Sequence, residues 1–120
     1  MLLVIDIGNT HSVIGIYDKD ELRSSWRLAS DKTKTADELG ILFGELFRIK
    51  NIKNSDLKAC IISSVVPPLT PNVVAMCREY FGLEPILIGP GLKTGLNIKY
   101  ENPKEVGADR IVNAVAALNL

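Results

Sequence analysis

The sequence predicts an α/β fold: a mixed sheet that opens as an antiparallel three-stranded meander, with helices packed on it. Three observations carry this. A continuous apolar run at residues 2–5 is followed closely by two further strand-like runs. A helical apolar period occupies residues 39–47. A second buried run at residues 59–65 leads through prolines into another helix and a short strand.

The first run, Leu2-Leu3-Val4-Ile5, has the uniform apolarity of a central strand covered on both faces. A Gly-Asn turn follows. Residues 12–17 resume strand character, with Ile14 and Ile16 on one face. Asp18-Lys19-Asp20 has the composition of a turn. Residues 21–28 alternate, so Leu22, Trp26 and Leu28 are expected on one side and Arg23 and Arg27 on the other.

Thr35 and Glu38 have the spacing of a capping box. Behind them, Leu39, Leu42, Phe43, Leu46 and Phe47 fall on one helical face. Residues 59–65 read as a buried strand, broken by Pro67-Pro68. Thr70-Pro71 is expected to be a cap followed by a first-turn proline, opening a helix that runs to about Phe81 and stops at Gly82. Residues 85–88 read as a short strand and residues 89–95 as a glycine-rich loop. From Ala108 the chain reads as a helix apolar on nearly every side, which predicts burial against a partner.

The bulk numbers narrow the function. The 120 residues suit one domain with one core. Fourteen basic and fourteen acidic residues give no global field for nucleic acid or an anionic membrane. No apolar run is long enough to span a bilayer, and the first residues lack a signal peptide's basic segment and cleavage site. Cys60 and Cys77 read as reduced core thiols, and with His11 as the single histidine they do not form a zinc pattern. A cytoplasmic location is the expectation.

Two segments can carry chemistry. Asp6-Ile7-Gly8-Asn9-Thr10 ends a buried strand with a carboxylate and opens a tight turn. It fits a plain hairpin, and it equally fits an anion nest in which backbone N–H groups hold phosphate and Asp6 holds a hydrated Mg²⁺. His11 beside it is either a surface histidine or a phosphate contact. In Glu105-Val106-Gly107-Ala108-Asp109-Arg110, the acid fits a helix N-terminus by charge alone. It also fits a site in which Asp109 is a general base and Arg110 clamps a carboxylate or phosphate. The loop at residues 89–95 lacks the Walker A frame, and Tyr100 beyond it is either a core residue or the wall of a small-molecule pocket.

Taken together, Leu3-Val4-Ile5-Asp6-Ile7-Gly8-Asn9-Thr10, Ser63-Ser64-Val65-Val66-Pro67 and Asn102-Pro103-x-x-Val106-Gly107-Ala108-Asp109-Arg110-x-x-Asn113-Ala114 resemble, in order and separation, the type III pantothenate kinases of the actin-like ATPase and sugar-kinase superfamily. The resemblance covers essentially the whole chain. It implies an actin-like (ribonuclease H-like) domain and ATP-dependent phosphorylation of pantothenate, the first step of coenzyme A synthesis. It implies that Asp6, Ile7, Gly8, Asn9, Thr10, His11, Ser12 and Val13 form the ATP-phosphate segment, with Asp6 at Mg²⁺. It implies further that Tyr100, Gly107, Ala108, Asp109 and Arg110 bind pantothenate, with Asp109 as the base. A monovalent cation, K⁺ or NH₄⁺, and a homodimer are implied as well.

Two departures stand out. His11 occupies a position where many relatives carry Asn. No second Asp-x-Gly-Thr phosphate motif occurs in the 120 residues, so the sequence reads as the amino-terminal half of the family's two-domain enzyme. The isolated chain is therefore expected to be weak or inactive, and its last helix to be exposed and prone to self-association.

Overall fold

The computed structural model describes residues 1–88. The elements are β1 (Leu2–Ile7), β2 (His11–Asp18), β3 (Glu21–Ala29), α1 (Ala36–Ile49), a 3₁₀ turn (Asn54–Asp56), β4 (Ala59–Ser64), α2 (Thr70–Phe81) and β5 (Ile86–Ile88). The sheet order is β3-β2-β1-β4-β5. β1, β2 and β3 pair antiparallel, whereas β4 lies parallel to β1 and β5 parallel to β4. The meander and the mixed sheet are as expected, with the apolar β1 at the centre.

Strand alternation divides the sheet into two faces. Leu3, Ile5, Ile7, Ile14, Ile16, Cys60 and Ile62 face α1 and α2 and form the main core with Leu39, Phe43, Phe47, Val73, Met76, Cys77 and Phe81. Phe47 is its hub, with ring centroids 5.6 Å from Trp26, 6.0 Å from Phe43 and 5.3 Å from Phe81. On the opposite face Leu2, Val4, Tyr17, Ile61 and Ile88 form a second, smaller cluster.

The capping box at α1 is present in both directions: the Glu38 N–H donates to Thr35 Oγ1 at 3.2 Å, and the Thr35 N–H donates to Glu38 Oε1 at 3.3 Å. α2 ends as expected at Gly82, whose φ of 63° is the left-handed conformation that glycine adopts without Cβ strain.

Two local expectations are corrected. Leu22 does not share a face with Trp26 and Leu28. Ile16 pairs with Ser24 but Tyr17 pairs with Leu22, so Arg23 is an extra residue at a β-bulge. One inserted residue reverses the alternation, and Leu22 joins Tyr17 on the second face. Thr70 is also not the cap of α2. Leu69 holds that position, and Thr70 is already helical. Its hydroxyl lies 2.8 Å from Ser64 Oγ and donates to the Val66 carbonyl at 3.1 Å, so it braces the β4–α2 connection instead.

Candidate functional site

The β1–β2 hairpin is built around Gly8. Its N–H donates to the His11 carbonyl at 3.0 Å, closing the turn over Asn9 and Thr10. A Cβ on Gly8 would lie 2.7 Å from that same carbonyl oxygen. No residue of the turn has positive φ, so glycine is needed here for closeness of approach rather than for left-handed backbone. The Ser30 N–H donates to the Thr10 carbonyl at 2.9 Å and ties the tip to the end of β3. The N–H groups of Asn9 and Thr10 make no hydrogen bond among the described residues, and both residues are exposed. The turn is thus a hairpin whose tip also offers two consecutive amide donors, the arrangement that binds an oxyanion.

The segment from Asp6 to Val13 divides between the two faces. Ile7 is buried among the helix-facing core residues. Ser12 faces the same way, and its hydroxyl lies 2.7 Å from that of Ser30. Asp6 and Val13 point to the opposite face, where they are register partners. Ile7 can therefore offer a ligand only its backbone, and its carbonyl already accepts from the Val65 N–H at 3.1 Å.

Around half-buried Asp6, pairing sets a row across the sheet. Arg27 pairs with Val13, Val13 with Asp6, Asp6 with Ser63 and Ser63 with Ile88. One face thus carries, in order, a guanidinium, an apolar spacer, a carboxylate and a hydroxyl. Next to this row is a cavity of about 120 Å³ whose lining includes Val4, Asp6, Val13, Gly15, Tyr17, Leu22 and Ser25. The bulge at Arg23 is what turns Leu22 into that wall. Sequence reasoning gave Ser63 and Leu22 no part here, because only pairing with β1 and β2 brings them to this face.

Among the described residues no group of three or more His, Cys, Asp or Glu side chains could hold a metal ion directly. One carboxylate, such as that of Asp6, suffices for a hydrated Mg²⁺, which keeps several waters and takes one or two protein carboxylates beside nucleotide phosphates. Tyr100, Gly107, Ala108, Asp109 and Arg110, together with the apolar segment of residues 108–120, lie outside the described residues. No helix among the described residues is long and apolar enough to cross a membrane.

The fold and the hairpin define a class first. The structure resembles RuvC from Thermus thermophilus, solved with a Holliday junction substrate, at a TM-score of 0.59, 13% identity, 98% of this chain and 93% of that one. It also resembles a ROK hexokinase from Thermus thermophilus at a TM-score of 0.56, 15% identity, 73% of this chain and 34% of that one. YeaZ from Pseudomonas aeruginosa matches at a TM-score of 0.53, 12% identity, 73% of this chain and 43% of that one. These likenesses place the chain in the ribonuclease H-like, actin-like ATPase fold class.

The sequence narrows the class. The pattern of the type III pantothenate kinase family matches residues 2–120, and the chain belongs to that family. It is 60% identical over 116 residues to a type III pantothenate kinase of Geotalea uraniireducens (strain Rf4), covering 97% of this chain and 45% of that protein. The chain thus spans a little under half the length of this curated relative.

Proposed function

We propose that this chain is the amino-terminal domain of a pantothenate kinase, which transfers the γ-phosphoryl group of ATP to the primary hydroxyl of pantothenate in the first step of coenzyme A biosynthesis. The observation that carries the reading is the Asp6–Gly8 turn, whose tip holds two amide donors that make no hydrogen bond among the described residues, in a chain that belongs to this family. Phosphoryl transfer needs positioning and charge stabilisation more than covalent chemistry, and a rigid hairpin of amides beside a carboxylate supplies both.

In this reading the Asn9 and Thr10 amides, with the Asn9, Thr10 and His11 side chains, grip the nucleotide phosphates. Asp6 accepts hydrogen bonds from the water shell of Mg²⁺, which when bound neutralises charge on the transferring phosphoryl group. Gly8 keeps the turn tight, and Ile7, Ser12 and Val13 hold it to the sheet. Asp109 takes the proton of the pantothenate hydroxyl, Arg110 forks to the pantothenate carboxylate, and Tyr100, Gly107 and Ala108 complete the substrate wall. A monovalent cation, K⁺ or NH₄⁺, homodimer formation and a cytoplasmic location belong to the same proposal.

The 120 residues contribute one side of the cleft, so the chain alone is weak or inactive. The test is made on the full-length protein that contains it. Asp109→Asn abolishes turnover and leaves ATP affinity within about twofold, as expected for loss of a base rather than a binding group. Retention of turnover in that variant would remove Asp109 from the mechanism.

A further inference from the structure

The Ser63-Ser64 pair at the end of β4 is two residues with two different occupations. Ser64 faces the helices, where its Oγ accepts from the Val66 N–H at 3.0 Å and lies 2.8 Å from the Thr70 hydroxyl. It holds the chain as it leaves β4 for α2. Ser63 points the other way. Its residue exposure is 7%, and its hydroxyl makes no hydrogen bond among the described residues; since no buried side-chain oxygen among them lacks a partner, this hydroxyl is the part of Ser63 that reaches the surface. A hydroxyl that is open at the surface and has no protein partner is available to a ligand on that face.

The register says what that use is. Ser63 is the parallel partner of Asp6, so the two side chains stand on one face of adjacent strands about 4.8 Å apart. Side chains on neighbouring strands at that spacing can both reach one oxygen atom. Position along the strand agrees, because both residues stand one step before the ends of β1 and β4, where the Gly8 turn opens.

We propose that Ser63 is a further ligand-contacting residue of the nucleotide site, its hydroxyl hydrogen-bonded to an oxygen of the Mg²⁺–nucleotide assembly that Asp6 faces. This rests on the kinase reading and adds a residue to it. The oxygen is either a metal-bound water, which donates to the Ser63 hydroxyl, or a phosphoryl oxygen, which accepts from it. Ser64, one residue on, is a brace with no ligand contact.

The experiment is calorimetric titration of the full-length protein with ATP at several Mg²⁺ concentrations, without pantothenate, alongside thermal unfolding of each ligand-free variant. Ser63→Ala is expected to weaken Mg²⁺-dependent ATP binding about tenfold, the size of one lost hydrogen bond to a charged assembly. The ligand-free melting temperature stays the same, since the hydroxyl makes no hydrogen bond among the described residues. Ser63→Thr, which restores a hydroxyl, recovers most of the affinity. Ser64→Ala behaves in the opposite manner, with a lower melting temperature and unchanged affinity.

Should Ser63→Ala not fold, Ser63→Cys removes the oxygen at nearly constant volume and is read in the same titration. Wild-type affinity and Mg²⁺ dependence in the variant lacking the hydroxyl, with Asp6→Asn impaired, would overturn the role of Ser63 and leave the kinase reading standing. Wild-type behaviour of both would overturn the two together.

Discussion

The N–H of Gly8 and the carbonyl of His11 close the β1–β2 turn at 3.0 Å, and a Cβ on Gly8 would approach that carbonyl to 2.7 Å. Real Cβ atoms do not come so near a backbone oxygen, and a backbone carbonyl cannot swing aside as a side-chain tip can.

Gly8→Ala therefore has to open the hairpin. The expected cost is about 1–3 kcal/mol of stability, typical of an added methyl group with no room. ATP affinity falls with it, because the Asn9 and Thr10 amides leave their alignment. Urea unfolding and an ATP titration of the same variant check both parts. Unchanged stability with full ATP binding would show that the turn is not held as described.

Tyr80 lies across α1 where Gly40 leaves space. A Cβ on Gly40 would meet the Tyr80 ring at 2.5 Å, and the Tyr80 hydroxyl donates to Asp37 Oδ1 at 2.6 Å. That hydrogen bond, followed by burial and the negative charges of Asp37 and Glu79, raises the Tyr80 hydroxyl above its ordinary range. A tyrosine in the unfolded chain titrates near about 10. The contribution is fully present below that pH and is lost as pH rises through the higher folded-state value. Stability should thus fall in alkali, and Tyr80→Phe should flatten that fall while leaving the neutral-pH fold intact. Chemical denaturation from pH 8 to 11 measures it, and an identical alkaline slope in the variant would contradict the assignment.

Cys60 and Cys77 meet inside the core, Sγ to Sγ at 3.6 Å, both fully buried and both free thiols. The hydrogen bond between them, then burial, pushes the Cys60 thiol far above the range in which thiols ionise. Since the thiolate is the reactive species, neither should be alkylated in the folded protein except through unfolding. Iodoacetamide at pH 8 is expected to label the native protein on the order of 10³-fold more slowly than the denatured one, by the usual rarity of the open state. Rapid labelling of Cys60 alone would mean that β4 is not covered as described.

Much of this was legible in the sequence because local patterns and tertiary demands agree. The apolar run of β1, the Thr35–Glu38 box and the Gly82 stop each specify their element without help from distant residues. The errors arise where a distant strand decides. Strict alternation through Arg23 puts Leu22 with Trp26, and the bulge shows only once β3 is set against Ile16 and Tyr17 of β2. Thr70 has the composition of a cap, but its hydroxyl is drawn to Ser64, six residues back. Ser63 and Asp6 are 57 positions apart, and nothing local marks them as neighbours. The same holds for the division of Ile7 and Ser12 from Asp6 and Val13, which follows from strand alternation rather than from the motif they share.

The most direct test is the formation of 4′-phosphopantothenate from pantothenate and Mg²⁺–ATP by the full-length protein, followed by mass spectrometry for wild type and Asp6→Asn together. The account predicts product from wild type and a rate lowered at least about 100-fold in Asp6→Asn, the scale of losing one electrostatic group at a phosphoryl-transfer site. No product from wild type, or an undiminished rate in Asp6→Asn, would contradict it.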